Sequence, residues 1–207
     1  MSDTGPARRD LREACLATAL AIVGEEGLEK LSLREVARRL GVSHGAPYKH
    51  FPSRDHILAE IVARAFAAFA AHLDASPRTG DARRDMGAMG RAYLAYALDH
   101  PLDYRLMFGT PLPDPADHPE MMRQARHAFA LLKERLRAVH AADGRRFDDG
   151  RLDRDALFVW STMHGLAGIL SGAALSQVGL PDEVLATAPE HALSLIGAAL
   201  EGSKEGW

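Results

Sequence analysis

Ser43, His44, Tyr48, Lys49 and His50 place hydroxyl, imidazole and ammonium groups within a few residues of one another. Side chains of these types donate to phosphate oxygens and to the edges of nucleic-acid bases. The surrounding stretch from Lys30 to Arg54 holds Lys30, Arg34, Arg38, Arg39, Lys49 and Arg54 against the single acid Glu35, a local charge of +5. The whole chain of 207 residues has a formal charge of −3, so the remainder sums to −8. A basic segment in an acidic remainder marks a localised anion-binding surface, although a solvated helix face accounts for the charge equally well.

Other chemistry finds less support. The ten histidines include no H-E-x-x-H and no i,i+4 pair, and the single cysteine, Cys15, sits on an apolar stripe, so no metal site is expected. No Walker loop, dinucleotide glycine pattern or paired acid/base constellation occurs, and neither catalysis nor a cofactor is expected. Cys15 has no partner for a disulfide within the chain, which fits a reducing compartment. The opening MSDTGPARRDLREAC lacks the apolar stretch of a secretory signal, and no later segment approaches the roughly 20 apolar residues of a membrane span. These features predict a soluble, cytoplasmic protein with no membrane partner.

The elements that must position the polar cluster are helical. Leu11, Ala14, Cys15, Thr18, Ile22 and Val23 form one stripe of a first helix that ends at Gly27. Ser32, followed by Leu33, Val36, Ala37 and Leu40 with Glu35 three residues on, reads as a capping box opening a short second helix. Gly41 closes it, and Ser43 caps a third short helix carrying Gly45, Pro47, Tyr48, Lys49 and His50. Two short helices of about 32–40 and 43–50, joined by a tight turn, have the length and turn chemistry of a helix-turn-helix. An ordinary helical hairpin with a wet face has the same periodicity.

Past Ser53, a helix of about 54–75 runs to a break at SPRTG, and further helices cover Met86–Ala97, a short piece near Leu102–Phe108, and Met121–Val139. The stretch TPLPDPADHP reads as a loop. Two long helices follow at about 153–175 and 182–201. The first of them contains Gly165, Gly168 and Gly172 with Ala167, Ser171, Ala173 and Ala174, a small-residue face suited to close helix–helix approach, within one subunit or between two.

The run LSLREVARRLGVSHGAPYKHFPSRDHIL, 28 residues long, resembles the DNA-binding signature of the TetR/AcrR family of transcriptional regulators. The matches include Ser32, Leu33, Ala37, Gly41, Val42, Ser43, Tyr48, Lys49, His50, Phe51 and Arg54. Pro47 departs from the Leu or Ile usual there. Trp160, His164 and Gly165 resemble the subgroup whose C-terminal domain is named WHG after a Trp and a His-Gly pair.

The resemblance implies an all-α fold of about nine helices. Its helix-turn-helix domain would span 1–53, and its effector-binding and dimerisation domain 54–207, with a WHG-type region at about 81–202. It implies phosphate contacts from Ser32, Ser43, Tyr48, Lys49 and Arg54 with Arg34 on the same surface, and base contacts from His44, Gly45, Pro47 and His50. Arg8 and Arg9 would form a basic arm or a solvated one. It further implies a homodimer through about 153–175 and 182–201, a palindromic double-stranded operator, and an effector pocket. Met86, Met89, Tyr93, Phe108, Met121, Met122, Phe129, Trp160, Met163 and His164 are the candidates for that pocket. The implied function is a repressor released by a small, largely apolar effector that moves the helix after Arg54. A constitutive DNA-binding factor and an all-α enzyme are the alternatives.

Overall fold

The computed structural model describes residues 6–144, 147–172 and 178–202. Among them are eight α-helices and no strand: α1 (Pro6–Glu26), α2 (Leu33–Leu40), α3 (Arg54–Asp74), α4 (Ala82–Asp99), α5 (Pro101–Phe108), α6 (Pro119–Ala142), α7 (Asp149–Leu170) and α8 (Asp182–Gly202). Single 3₁₀ turns occupy Leu28–Lys30 and Pro47–Lys49. The chain forms two compact units, one of residues up to Phe66 together with Arg105–Gln124, the other of Ala67–Tyr104 and the residues from Ala125 onwards.

In the first unit the buried stripe of α1 is Cys15, Leu16, Ala19, Ile22 and Val23, while Leu11, Ala14 and Thr18 are half-buried. Against it lie Leu33, Val36 and Ala37 of α2. The Ser32 hydroxyl accepts from the Glu35 N–H at 3.1 Å, which starts α2 as expected. The reciprocal half of the expected capping box is replaced, because the Glu35 carboxylate turns to Arg38 (2.6 and 2.8 Å) and Arg39 (3.3 Å). The end of α2 is a Schellman motif: Gly41, at φ 65°, donates to the Arg38 carbonyl (3.2 Å), and Val42 donates to that of Ala37 (3.1 Å).

An ionic clasp ties α1 to α3. Arg12 reaches Glu60 at 2.6 Å, and Arg64 holds Glu13 at 2.6 and 2.7 Å while also touching Glu60. The Arg12 guanidinium lies 5.2 Å from the centre of the buried Phe51 ring. Helix α3 corrects one sequence expectation, since by length and composition alone it is long and apolar enough to cross a membrane. Of its most apolar window 61% is buried within the protein, as befits a core helix; Ile57, Leu58, Ile61, Val62 and Phe66 supply that burial in this unit.

In the second unit α4 packs against α7 and α8. Helix α4 begins where Asp81 accepts from the N–H groups of Arg83 and Arg84. The approach to α8 is close: a Cβ on Gly90 would collide with the Leu193 side chain. Helix α7 buries Leu152, Ala156, Val159, Met163 and Ala167, one narrow stripe at helical spacing. It leaves Leu157, Phe158 and Ile169 exposed. The helix expected at about 153–175 instead runs from Asp149 to Leu170, where Ser171 caps it and donates to the Ala167 carbonyl at 2.9 Å; Ala173 and Ala174 lie outside the described residues.

Candidate nucleic-acid interface

Two elements present the polar cluster: α2, fixed at both ends by its caps, and the segment that follows Gly41. The expected third α-helix at 43–50 is instead a turn running into a single 3₁₀ turn at Pro47–Lys49. The cause is Pro47. With Ser43 as N-cap, residue 47 donates the first intrahelical hydrogen bond, and proline has no N–H. The Ser43 carbonyl accepts from Ala46 at 2.9 Å, Lys49 donates to Ala46 (3.3 Å), and His50 donates to Pro47 (2.9 Å), all of i→i+3 type. The ring of Pro47 is buried, so the expectation that it faces a base edge is withdrawn.

Ser43, His44, Gly45, Tyr48 and Lys49 are exposed, His50 is half-buried, and Tyr48 keeps 48% of its surface in solvent. His44 and Tyr48 stack with ring centres 6.0 Å apart and planes 24° from parallel. Arg34, exposed on α2, donates from Nε to His44 Nε2 at 2.7 Å. Gly41, Val42, Ser43, His44 and Gly45 also have the G-x-S-x-G spacing of a nucleophile elbow. That elbow needs a strand leading into a helix, whereas α2 leads into this turn.

Three of the six cations behind the local +5 are tied within the protein. Arg39 pairs with Glu25 at 2.5 Å, with Glu26, and with Glu35, while Arg38 pairs with Glu35; these two cations and three acids together carry −1. Arg38 first, then Arg39, holds the Glu35 carboxyl well below the usual range, down to about 2. Arg54 is corrected too: its Nε donates to the Leu31 carbonyl (3.0 Å) and its Nη2 to that of Leu28 (2.9 Å), while Nη1 lies 3.4 Å from Asp55. It ties down the turn before α2, a task that a guanidinium fork suits better than an ammonium. Arg34 and Lys49 therefore remain as the exposed cations of the predicted set, Ser32 is engaged as a cap, and the side chains of Arg8 and Arg9 lie outside the described residues.

Residues 16–61 match the family profile described as "Bacterial regulatory proteins, tetR family". Residues 86–195, more than half of the chain, match "Tetracyclin repressor-like, C-terminal domain". The chain belongs to the tetR family. Among curated relatives it is 31% identical over 113 residues to the HTH-type transcriptional regulator Rv1816 of Mycobacterium tuberculosis, covering 51% of this chain and 48% of that one. It is 35% identical over 74 residues to the HTH-type transcriptional repressor KstR of Mycolicibacterium smegmatis, 36% of each chain. The matches thus span about half or less of the curated relatives' length. Among solved structures it resembles the regulatory protein SCO4313 (26% identity, TM-score 0.76, 92% of this chain and 96% of that one). It also resembles a Rhodococcus sp. RHA1 protein of unknown function (29%, TM-score 0.70, 93% and 96%).

In this tetR-family chain the ten candidate pocket residues are divided between the two units. Phe108, Met121 and Met122 belong to the first unit, where Phe108 meets Phe66 edge-on at 5.6 Å. Met86 and Met163 line an apolar cavity of about 70 Å³ in the second unit, bounded also by Gly90, Val139, Leu193 and Ile196. Arg83 stands at its edge, bound to Asp143 (2.7 and 2.9 Å) and Glu201 (2.6 Å). Met89 is core, and Phe129 meets Trp160 edge-on at 5.9 Å.

Tyr93 and His164 join a polar cluster with Tyr104, a residue the sequence reading missed. The hydroxyls of Tyr93 and Tyr104 are 2.8 Å apart, and both reach His164 Nδ1, at 3.2 and 2.6 Å. Burial pushes the Tyr93 phenol up, the Tyr104 phenol up to about 12, and the His164 imidazole down. The cluster is neutral near pH 7 and offers hydrogen bonds without charge. Only the fold brings α4, α5 and α7 together at this point, and no local spacing in the sequence signals it.

Proposed function

We propose that this chain is a DNA-binding transcriptional regulator, a homodimeric repressor that binds a palindromic operator in the cytoplasm and is released by a small, largely apolar effector. The observation that carries the reading is the capped α2–Gly41 turn, which holds an exposed row of Ser43, His44, Tyr48 and Lys49 within the stretch matching the tetR profile. Such a row enters a major groove, with phosphate contacts setting register and base contacts setting sequence.

The dimer is supported by α7 and α8, which expose Leu157, Phe158, Ile169, Val184 and Leu195. Among the described residues, no other element comes within 4 Å of a Cβ placed on Gly165, Gly168 or Gly197, which leaves these small-residue positions open to a partner. The effector is supported by the neutral Tyr93–Tyr104–His164 cluster and by the apolar cavity. Release requires the effector to bind two conformations unequally, by about 1–3 kcal/mol. Trp160, His164 and Gly165 support placement in the WHG subgroup.

One observation favours a second reading on the same fold, a constitutive DNA-binding factor. The cavity of about 70 Å³ is well below the roughly 300–1,000 Å³ of ordinary ligand sites. No catalytic role is assigned, since the curated relatives compared above are transcriptional regulators. Gel shift with Tyr48→Ala combined with Lys49→Ala tests the reading: loss of operator binding with helical content intact is expected, and undiminished binding refutes it.

A further inference from the structure

We propose that Arg34 is a positioning residue that fixes the tautomer of His44, and that His44 thereby reads a hydrogen-bond acceptor edge, guanine first, at one base pair of each half-site. The inference rests on the DNA-binding reading above and names the base chemistry that the turn recognises.

A guanidinium is always protonated and has donors only, so the 2.7 Å contact from Arg34 Nε makes His44 Nε2 an acceptor. A neutral imidazole carries one proton, which must then sit on Nδ1. Stacking on Tyr48 at 6.0 Å and 24° limits rotation of the ring. The exposed His44 therefore presents one N–H of fixed direction. In the major groove guanine offers two acceptors, N7 and O6; thymine offers O4; and adenine offers N7 beside a donor. Cytosine presents an amino donor, which an N–H opposes. Arg34 spends Nε on His44, and the Nη1 and Nη2 donors of its exposed guanidinium can meet a phosphate. One side chain thus links the backbone contact to the base contact, as outer-shell partners orient histidines at metal sites. With Arg34 removed, both tautomers become accessible, and the one protonated on Nε2 turns an acceptor towards the base.

The test uses the full chain. Imidazole ¹⁵N spectra of the free protein are expected to show His44 as the single Nδ1–H tautomer in wild type and as a mixture in Arg34→Ala. In selection from random duplexes, wild type is expected to choose guanine at one position per half-site. His44→Asn is expected to move that choice to adenine, which asparagine matches with a donor and an acceptor. Arg34→Lys keeps the charge, so it is expected to leave the salt dependence unchanged while guanine preference drops about fivefold. A mixed tautomer in wild type overturns the proposal. So does a base preference unmoved by His44→Asn, or a reduced salt dependence with unchanged base preference in Arg34→Lys. A wild-type chain that selects no duplex overturns the DNA-binding reading and this inference with it; selection of a palindrome whose bases never shift overturns the inference alone.

Discussion

Replacing Lys49 by alanine is expected to weaken operator binding about thirtyfold at 0.15 M salt, whereas Arg39→Gln is expected to leave the salt dependence of binding untouched. Both residues are cations of the +5 segment, and the structure separates them. Lys49 is exposed on the recognition turn, while the Arg39 side chain is 21% exposed and held by Glu25, Glu26 and Glu35. Each neutralised phosphate contributes about 0.9 to the slope of log affinity against log salt, and a dimer loses two such contacts. The slope should therefore flatten by about 1.8, which over the roughly 0.8 decade between 1 M and 0.15 M salt amounts to about 1.5 log units of affinity. Fluorescence anisotropy with a labelled operator at five or six salt concentrations measures it. Equal slopes for wild type and Lys49→Ala, or a flattening in Arg39→Gln matching that in Lys49→Ala, would refute the assignment of phosphate-facing charge.

Three further outcomes follow from the geometry. Gly41→Ala should destabilise the protein by about 1 kcal/mol in denaturant unfolding, because a Cβ there meets nothing within 4 Å and the whole cost is the left-handed backbone; Gly41→Asn should recover part of it. The Glu35 carboxyl is held down to about 2 when folded, against about 4.3 unfolded, so its contribution is present above pH 4.3 and lost as pH falls towards 2. Thermal melts across that window should fall more steeply for wild type than for Glu35→Gln. Leu157→Glu combined with Phe158→Glu should turn a sedimenting dimer into a monomer of unchanged helical content, since both side chains are exposed on the protomer.

Much of the recognition unit is legible from local chemistry. Ser32 and Gly41 announce the two ends of α2, and the spacing from Cys15 to Val23 announces the face of α1 that packs on it. These signals act within a turn or two of the chain, where sequence and geometry coincide. Pro47 is legible as an oddity, yet its effect depends on its place in the helix. Four residues after the cap, its missing N–H removes the first α-type bond and leaves a 3₁₀ turn. Charge proves least legible, because the partners of Arg39 lie 13 and 14 residues away and those of Arg54 are backbone carbonyls 23 and 26 residues away. In the body, apolar periodicity identifies Met86, Met89 and Met163 as inward-facing but not what they face. Tyr104 joins Tyr93 and His164 through the packing of three helices, at separations of 11 and 60 residues.

The central claim is that the turn from Ser43 to Lys49 reads DNA. The most direct measurement is selection from a random duplex library by the purified chain, repeated with Tyr48→Ala combined with Lys49→Ala. Enrichment of a two-fold symmetric site by the wild type, abolished in the double variant, is the predicted result. No enrichment, or the same site recovered by the double variant, contradicts the account.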